Sequence, residues 1–207
     1  MAEKIYLIGI AGGTCSGKTY LANSLVEYFG KDLIDIIKVD SYYHDLSHLK
    51  MAKREKNNFD HPDSFDFKLL YTDLFKLLNN KIINIPTYCY KTHTRKKEVK
   101  SIESKKIIIL EGIYSLYNKD ITDLIDLKIF LDKPDNLRKK IRLTRDIKQR
   151  ARTNKSIEKQ YSKTVFPMYL KFINNTKNNA DIIIKEDNMV NSNAFTILHK
   201  EIKQILK

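Results

Sequence analysis

The residues Gly12-Gly13-Thr14-Cys15-Ser16-Gly17-Lys18-Thr19 match G-x-x-x-x-G-K-[ST], the spacing of a phosphate-cradling P-loop. A loop that wraps a polyphosphate needs unusual backbone angles and close backbone approach, and glycine supplies both. Four of the chain's six glycines lie between Gly9 and Gly17, so their crowding has a local cause. The amides of residues 13 to 19 are expected to face the phosphates, helped by the positive end of a helix starting near Gly17. Lys18 is expected to reach the β- and γ-phosphates as a point charge, and the Thr19 hydroxyl to ligate Mg2+. The chain therefore reads as a binder of a nucleoside triphosphate, with ATP (or GTP) as the donor.

Two carboxylates stand at comparable places. Asp40, in Val39-Asp40-Ser41-Tyr42-Tyr43, falls just past a strand. A carboxylate there suits a general base that takes a proton from a substrate hydroxyl, and an Asp-Ser turn cap fits the same residues. Glu111 closes the apolar run Ile107-Ile108-Ile109-Leu110. In open α/β sheets ligands bind beyond the carboxyl ends of the strands. Element order alone thus places a phosphate loop and two carboxylates around one crevice.

The elements that must position them follow from periodicity. Ile5–Ile8 reads as a buried strand, and residues Thr19 to Phe29 as a helix with Gly30 just beyond its end. Strands are expected at Ile34–Val39, Lys106–Leu110, Leu127–Leu131 and Ala180–Ile184, and a helix at Phe67–Leu78. Residues Ile82 to Tyr88 and Glu98 to Ile102 suit two strands of a small flap spanning about 82–103. Pro134 to Arg152 reads as a basic helix with Pro at its first position, forming the core of a lid at 138–155. Ser156–Asn174 reads as a helix broken or offset near Pro167, and Asn193–Leu206 as a closing helix. Alternation of strands and helices implies an α/β fold with a mostly parallel sheet in a three-layer sandwich, as one domain over 1–207.

Bulk properties bound the function. No segment approaches 18 consecutive apolar residues, so no membrane span is expected. An early core strand leaves no room for a secretory signal, and two cysteines, one of them in the P-loop, suggest a reducing, cytoplasmic setting without a structural disulfide. The net charge of +13 raises nucleic acid as a partner. Nine basic residues and one acid, Asp146, lie between Arg138 and Lys155, whereas the remaining lysines are scattered. Neither zinc-finger spacing nor the signature of an RNA-binding sheet is present, so a small anionic ligand is the expected target.

Further segments carry a resemblance. Asn58-Phe59-Asp60-His61-Pro62-Asp63-Ser64-Phe65-Asp66 is dense in acids and aromatics. It is followed by Pro86-Thr87-Tyr88-Cys89-Tyr90-Lys91-Thr92-His93, by Glu111-Gly112-Ile113-Tyr114, and by Arg142-Leu143-Thr144-Arg145 through Arg150-Ala151-Arg152. In this order and spacing the chain resembles the uridine–cytidine kinase family from about Ile5 to Ile184. The resemblance implies transfer of the γ-phosphoryl group to the 5′-hydroxyl of uridine, and also of cytidine, in pyrimidine salvage.

It also implies roles. Asp40 is expected as catalytic base, and Lys18 and Arg145 as cations over the migrating charge. Asp60 would hold the ribose hydroxyls, with Tyr43 and Phe59 lining the nucleoside pocket. Tyr88 and His93 would bond the base, and Tyr90 stands where a flanking Phe is usual. Glu111, with Thr19 and Asp40, would complete the Mg2+ shell. Arg142 is expected at the ribose side, and Arg150 and Arg152 near the ATP phosphates. A homo-oligomer, a tetramer by resemblance, is implied, without a nucleic-acid or membrane partner.

The match departs at three places. Tyr88-Cys89-Tyr90 replaces Tyr-Asp-Phe, Arg150-Ala151-Arg152 replaces Arg-Gly-Arg, and Lys185 to Asn191 replace a glycine-rich stretch. Cys89 removes a carboxylate beside the base, which leaves open a kinase for another small hydroxyl substrate. The charge leaves open a weakly active nucleotide- or RNA-binding regulator.

Overall fold

A computed structural model describes residues 4–150, 152–185 and 193–206. Ala151, where the Ala-for-Gly change predicts a more helical turn, lies outside the described residues, as do residues 186–191 of the replaced glycine-rich stretch.

Five strands form one parallel sheet. In chain order the strands are β1 (Tyr6–Gly12), β2 (Ile34–Lys38), β3 (Ile83–Cys89), β4 (Thr94–Ile102), β5 (Ile107–Glu111), β6 (Leu127–Leu131) and β7 (Ile182–Ile184). The sheet order is β2-β5-β1-β6-β7, and β3 and β4 pair separately as an antiparallel hairpin. β1 is central, with Ile8 opposite Ile109 of β5 and Leu127 of β6. The helices are α1 (Lys18–Phe29), α2 (Met51–Arg54), α3 (Phe67–Leu78), α4 (Lys119–Leu124), α5 (Asp135–Arg150), α6 (Asn154–Gln160), α7 (Phe166–Met168) and α8 (Asn193–Ile205).

Alternation along the strands divides the core in two. Leu7, Ala11, Ile37, Ile108, Leu110 and Phe130 pack toward α3, α4 and the hairpin. Ile8, Ile10, Ile34, Ile107, Ile109 and Ile129 pack toward α1 and α8. Both faces of the parallel sheet are thus covered, giving three layers, and its strands read as unbroken apolar runs.

The predicted α3 and β6 bounds coincide with the observed ones, and the other differences have local reasons. β1 runs on to Gly12, because pairing with β6 continues to Gly12 opposite Leu131 after pairing with β5 ends at Ile10. β4 begins at Thr94 rather than Glu98, since pairing with β3 resumes at Tyr88–Arg95 beyond an irregularity near Pro86. Asp40 does not extend β2. Val39–Tyr42 forms a short 3-10 turn that swings it off the sheet. Pro134 lies one residue outside α5 and accepts the Arg138 amide at 3.1 Å. Around Pro167 the helix does not break. Wide turns at Tyr161–Val165 and Tyr169–Ile173 carry amides back five residues, Phe166 to Tyr161 and Asn174 to Tyr169. Such turns absorb the bond that proline cannot donate. No helix among the described residues is long and apolar enough to cross a membrane.

Candidate active site

The P-loop leaves β1 and enters α1 at Gly17, whose φ of 105° puts the cap residue in the left-handed region that glycine adopts without strain. Gly13 answers a different need. A Cβ there would meet the Arg138 guanidinium, with Cζ only 2.7 Å away. Lys18 folds back over the loop and donates to the Gly13 carbonyl at 2.8 Å. Burial lowers its pKa, opposed by the charges of Glu111 and Asp40.

A cleft of about 450 Å3 opens above this loop. Thr14, Cys15, Gly17, Lys18, Thr19, Asp40, Glu111, Lys133 and Arg145 contribute to its walls. Burial pushes the Asp40 carboxyl above the ordinary aspartate range, with Lys18 as the main opposing charge. Burial likewise raises Glu111, again opposed chiefly by Lys18. The Thr19 hydroxyl donates to both Glu111 oxygens, at 3.2 and 3.3 Å. Among the described residues no three His, Cys, Asp or Glu side chains cluster as a metal cage. A hydroxyl and one or two carboxylates suit Mg2+, which keeps several waters and takes its remaining ligands from substrate phosphates.

A second group of residues lies beyond Asp40. Burial drives the Tyr43 hydroxyl well above its usual range, with the charges of Asp40 and Asp60 adding to the shift, and the hydroxyl donates to the Phe59 carbonyl at 3.2 Å. Its ring meets Phe59 edge-on at 5.7 Å and Tyr88 at 5.1 Å. Phe59 stacks on His93 at 4.5 Å between centroids. Burial lowers the His93 pKa, so a neutral imidazole is favoured near pH 7. The Tyr88 hydroxyl is buried without a partner, a donor and acceptor available to a ligand. Its pKa is pushed up to about 12, mainly by burial. Tyr90, 56% exposed, meets the Tyr88 ring edge-on at 5.4 Å between centroids.

Asp60 is raised by burial, against the charges of Arg142 and Arg152. Its Oδ2 accepts the Thr164 hydroxyl at 2.8 Å, and its carbonyl accepts the Tyr114 hydroxyl at 2.6 Å. Arg142 reaches the P-loop, donating to Thr14 Oγ1 at 3.0 Å and to Gln160 Oε1 at 3.1 Å. Arg152 donates to the same Gln160 oxygen at 2.5 Å. Arg142 therefore joins the phosphate loop to the Asp60 side.

Sequence reasoning missed Thr164, Gln160, Arg138 and the role of Asp146. Only Asp146 left a signal: Arg142, Asp146 and Arg150 are spaced four apart and share one helical face. Arg138 is 1% exposed, packs 3.9 Å over the Tyr169 ring and bonds Asp135 at 2.8 Å.

A parallel three-layer sandwich, with a P-loop at the end of its central strand and two carboxylates across the cleft, defines a P-loop kinase fold. The chain belongs to the phosphoribulokinase / uridine kinase family, whose model matches residues 7–192. It is 48% identical over 200 residues to a uridine kinase of Clostridium novyi (strain NT), covering 97% of this chain and 96% of that one. It is 45% identical to a uridine kinase of Lactobacillus helveticus (strain DPC 4571), covering 99% and 97%. In fold it resembles a putative fructose transport system kinase from Silicibacter sp. TM1040, with a TM-score of 0.71 at 18% identity, covering 88% and 90%.

Proposed function

We propose that the protein transfers the γ-phosphoryl group of ATP to the 5′-hydroxyl of uridine, and also of cytidine, giving the monophosphate. The observation that carries this reading is the ring group of Tyr43, Phe59, Tyr88 and His93 next to Asp60, with the Tyr43 hydroxyl donating to the Phe59 carbonyl at 3.2 Å and Thr164 donating to Asp60. A nucleoside whose ribose rests on Asp60 and whose base meets Phe59, Tyr88 and His93 would present its 5′-hydroxyl toward Asp40.

Asp40 takes the hydroxyl proton as general base, and its raised pKa improves the match to that task. Lys18 exchanges the Gly13 carbonyl for the β- and γ-phosphates. Arg145, in the cleft wall, supplies positive charge over the migrating group, with Arg150 and Arg152 on the donor. Thr19, Glu111 and Asp40 would hold Mg2+, which would neutralise charge on the transferring phosphates. Asp60 accepts two O–H bonds from the ribose diol, and Thr164 fixes its orientation. Closure of the residue 138–155 lid and the 82–103 flap would exclude water that hydrolyses ATP.

ADP release is measured with Mg-ATP and uridine, cytidine, adenosine, deoxycytidine or no acceptor. Stimulation by uridine and cytidine is expected. Turnover of another acceptor alone would transfer the reading to a different substrate.

A further inference from the structure

Asp146 is the one acid in the basic stretch from Arg138 to Lys155, and its side chain is 0% exposed. Four guanidinium groups converge on it. Arg145 grips Oδ1 through Nε at 2.9 Å and Nη2 at 2.8 Å. The other three stand farther off. Arg150 Nε lies 3.7 Å from Oδ1, and Arg142 Nε and Arg152 Nη1 lie 3.6 and 3.5 Å from Oδ2. Oδ2 is buried yet makes no hydrogen bond.

The covalent frame enforces this geometry. Arg142 and Arg150 sit one turn to either side of Asp146 on α5. Arg152 returns past the helix end and ties its own amide to the Asp146 carbonyl at 3.2 Å. Four cations around one carboxylate leave three positive charges uncompensated by it. Asp60 offsets part of the charge of Arg142 and Arg152, and the partly exposed Arg145 and Arg150 remain open to a further anion. Arg145 faces the cleft, and Arg142 touches P-loop Thr14, so the missing anion is a bound polyphosphate.

The geometry points to Asp146 as a positioning residue for phosphoryl transfer. It locks Arg145 in the cleft wall by a two-pronged grip. It parks Arg150 at a distance where charge attracts it but no hydrogen bond to the carboxylate commits it, while Arg152 is held by Gln160 and Ser156. A triphosphate carries more charge than one carboxylate and draws Arg150 across, while Arg145 stays placed. Donors held in advance need no reorganisation as charge develops. The kinetic part of this inference rests on the reaction proposed above.

Asp146→Asn keeps the shape and removes the charge. In it kcat with uridine and Mg-ATP is expected to fall about tenfold to a hundredfold, less than loss of a direct donor. The ADP dissociation constant, measured by calorimetry, stays within about threefold of wild type or tightens, because the arginines lose a competitor. Asp146→Glu keeps the charge and regains part of the lost kcat. Unchanged kcat in Asp146→Asn, or ADP binding that weakens in step with kcat, overturns the proposal, since a merely structural role damages both. Should the Asn variant fail to fold, Asp146→Glu is read by the same two measurements against the same outcomes. If wild-type protein turns over no pyrimidine nucleoside, the substrate assignment fails separately. ADP calorimetry on Asp146→Asn then decides alone: affinity kept or tightened supports the role of Asp146, and affinity lost removes it.

Discussion

Thr164 Oγ1 donates a 2.8 Å hydrogen bond to Asp60 Oδ2 across 104 residues of chain. Thr164 belongs to the wide turn before Pro167, and Asp60 to the loop leading into α3. The bond therefore couples the helical segment after the arginine-rich α5 to the carboxylate proposed to hold the ribose. Thr164 also donates to the Gln160 carbonyl at 3.1 Å, one turn back in its own helix.

Asp60→Ala is expected to raise the nucleoside KM strongly while leaving ADP binding intact. Thr164→Val should raise the same KM by about fivefold, the worth of roughly 1 kcal/mol for one hydrogen bond. Steady-state kinetics with uridine at saturating ATP measures both. Equal nucleoside KM in wild type and Asp60→Ala would remove the ribose assignment.

Asp40→Asn should cut kcat by roughly 10²–10⁴-fold, the usual contribution of a general base. ADP binding should survive, because Lys18 and the loop amides remain. A variant with near wild-type kcat would return Asp40 to the role of a turn cap.

The pH profile carries a sign. Burial raises the Asp40 pKa, so the carboxylate needed as base is lost earlier as pH falls. The free-enzyme profile, kcat/KM, should therefore drop on its acidic side with a midpoint above the ordinary aspartate value of about 3.9. The stability term has the opposite sense. A carboxyl with a raised pKa favours folding while protonated, and that contribution is lost as pH rises through its folded pKa. An acidic limb at or below the ordinary value would contradict the assignment.

Gly13→Ala places a methyl group against the Arg138 guanidinium, which is pinned by Asp135 and the Tyr169 ring. Overpacking of this kind costs about 1–3 kcal/mol. Thermal unfolding should show the loss, and ADP affinity should fall with it, since the same shift moves the loop. Unchanged melting would mean that Arg138 gives way.

Cys89, which stands where the family resemblance implies an aspartate, is a free thiol. The Thr92 hydroxyl, then the Thr92 and Lys91 amides, lower its pKa. Alkylation of Cys89 followed by mass spectrometry should give a pH midpoint below that of an ordinary thiol, about 8.5. Thr92→Val should move it up. Identical midpoints in the two proteins would discard the Thr92 contribution.

Some of this protein is written along the chain. The P-loop is eight consecutive residues, so no folding is needed to recognise it. Leu127–Leu131 and Phe67–Leu78 declare themselves by apolar run and helical period, because local burial pattern alone selects strand or helix there. Strand order was enough to bring Asp40 and Glu111 to the P-loop's edge of the sheet, since right-handed crossovers leave few alternatives. Other features have no local signature. Thr164 and Gln160 lie in a helical stretch whose register was shifted by the wide turns around Pro167, and their partners are over a hundred residues away in the case of Asp60. Asp146 looked like a lone acid on a solvated basic face. Packing of α5 against the P-loop buried it and brought four guanidinium groups within 3.7 Å of its carboxylate. Sequence determines which groups are available and which local elements they ride on. Tertiary structure decided which charges share one low-dielectric space, because burial and proximity are properties of packed elements and not of neighbours along a chain.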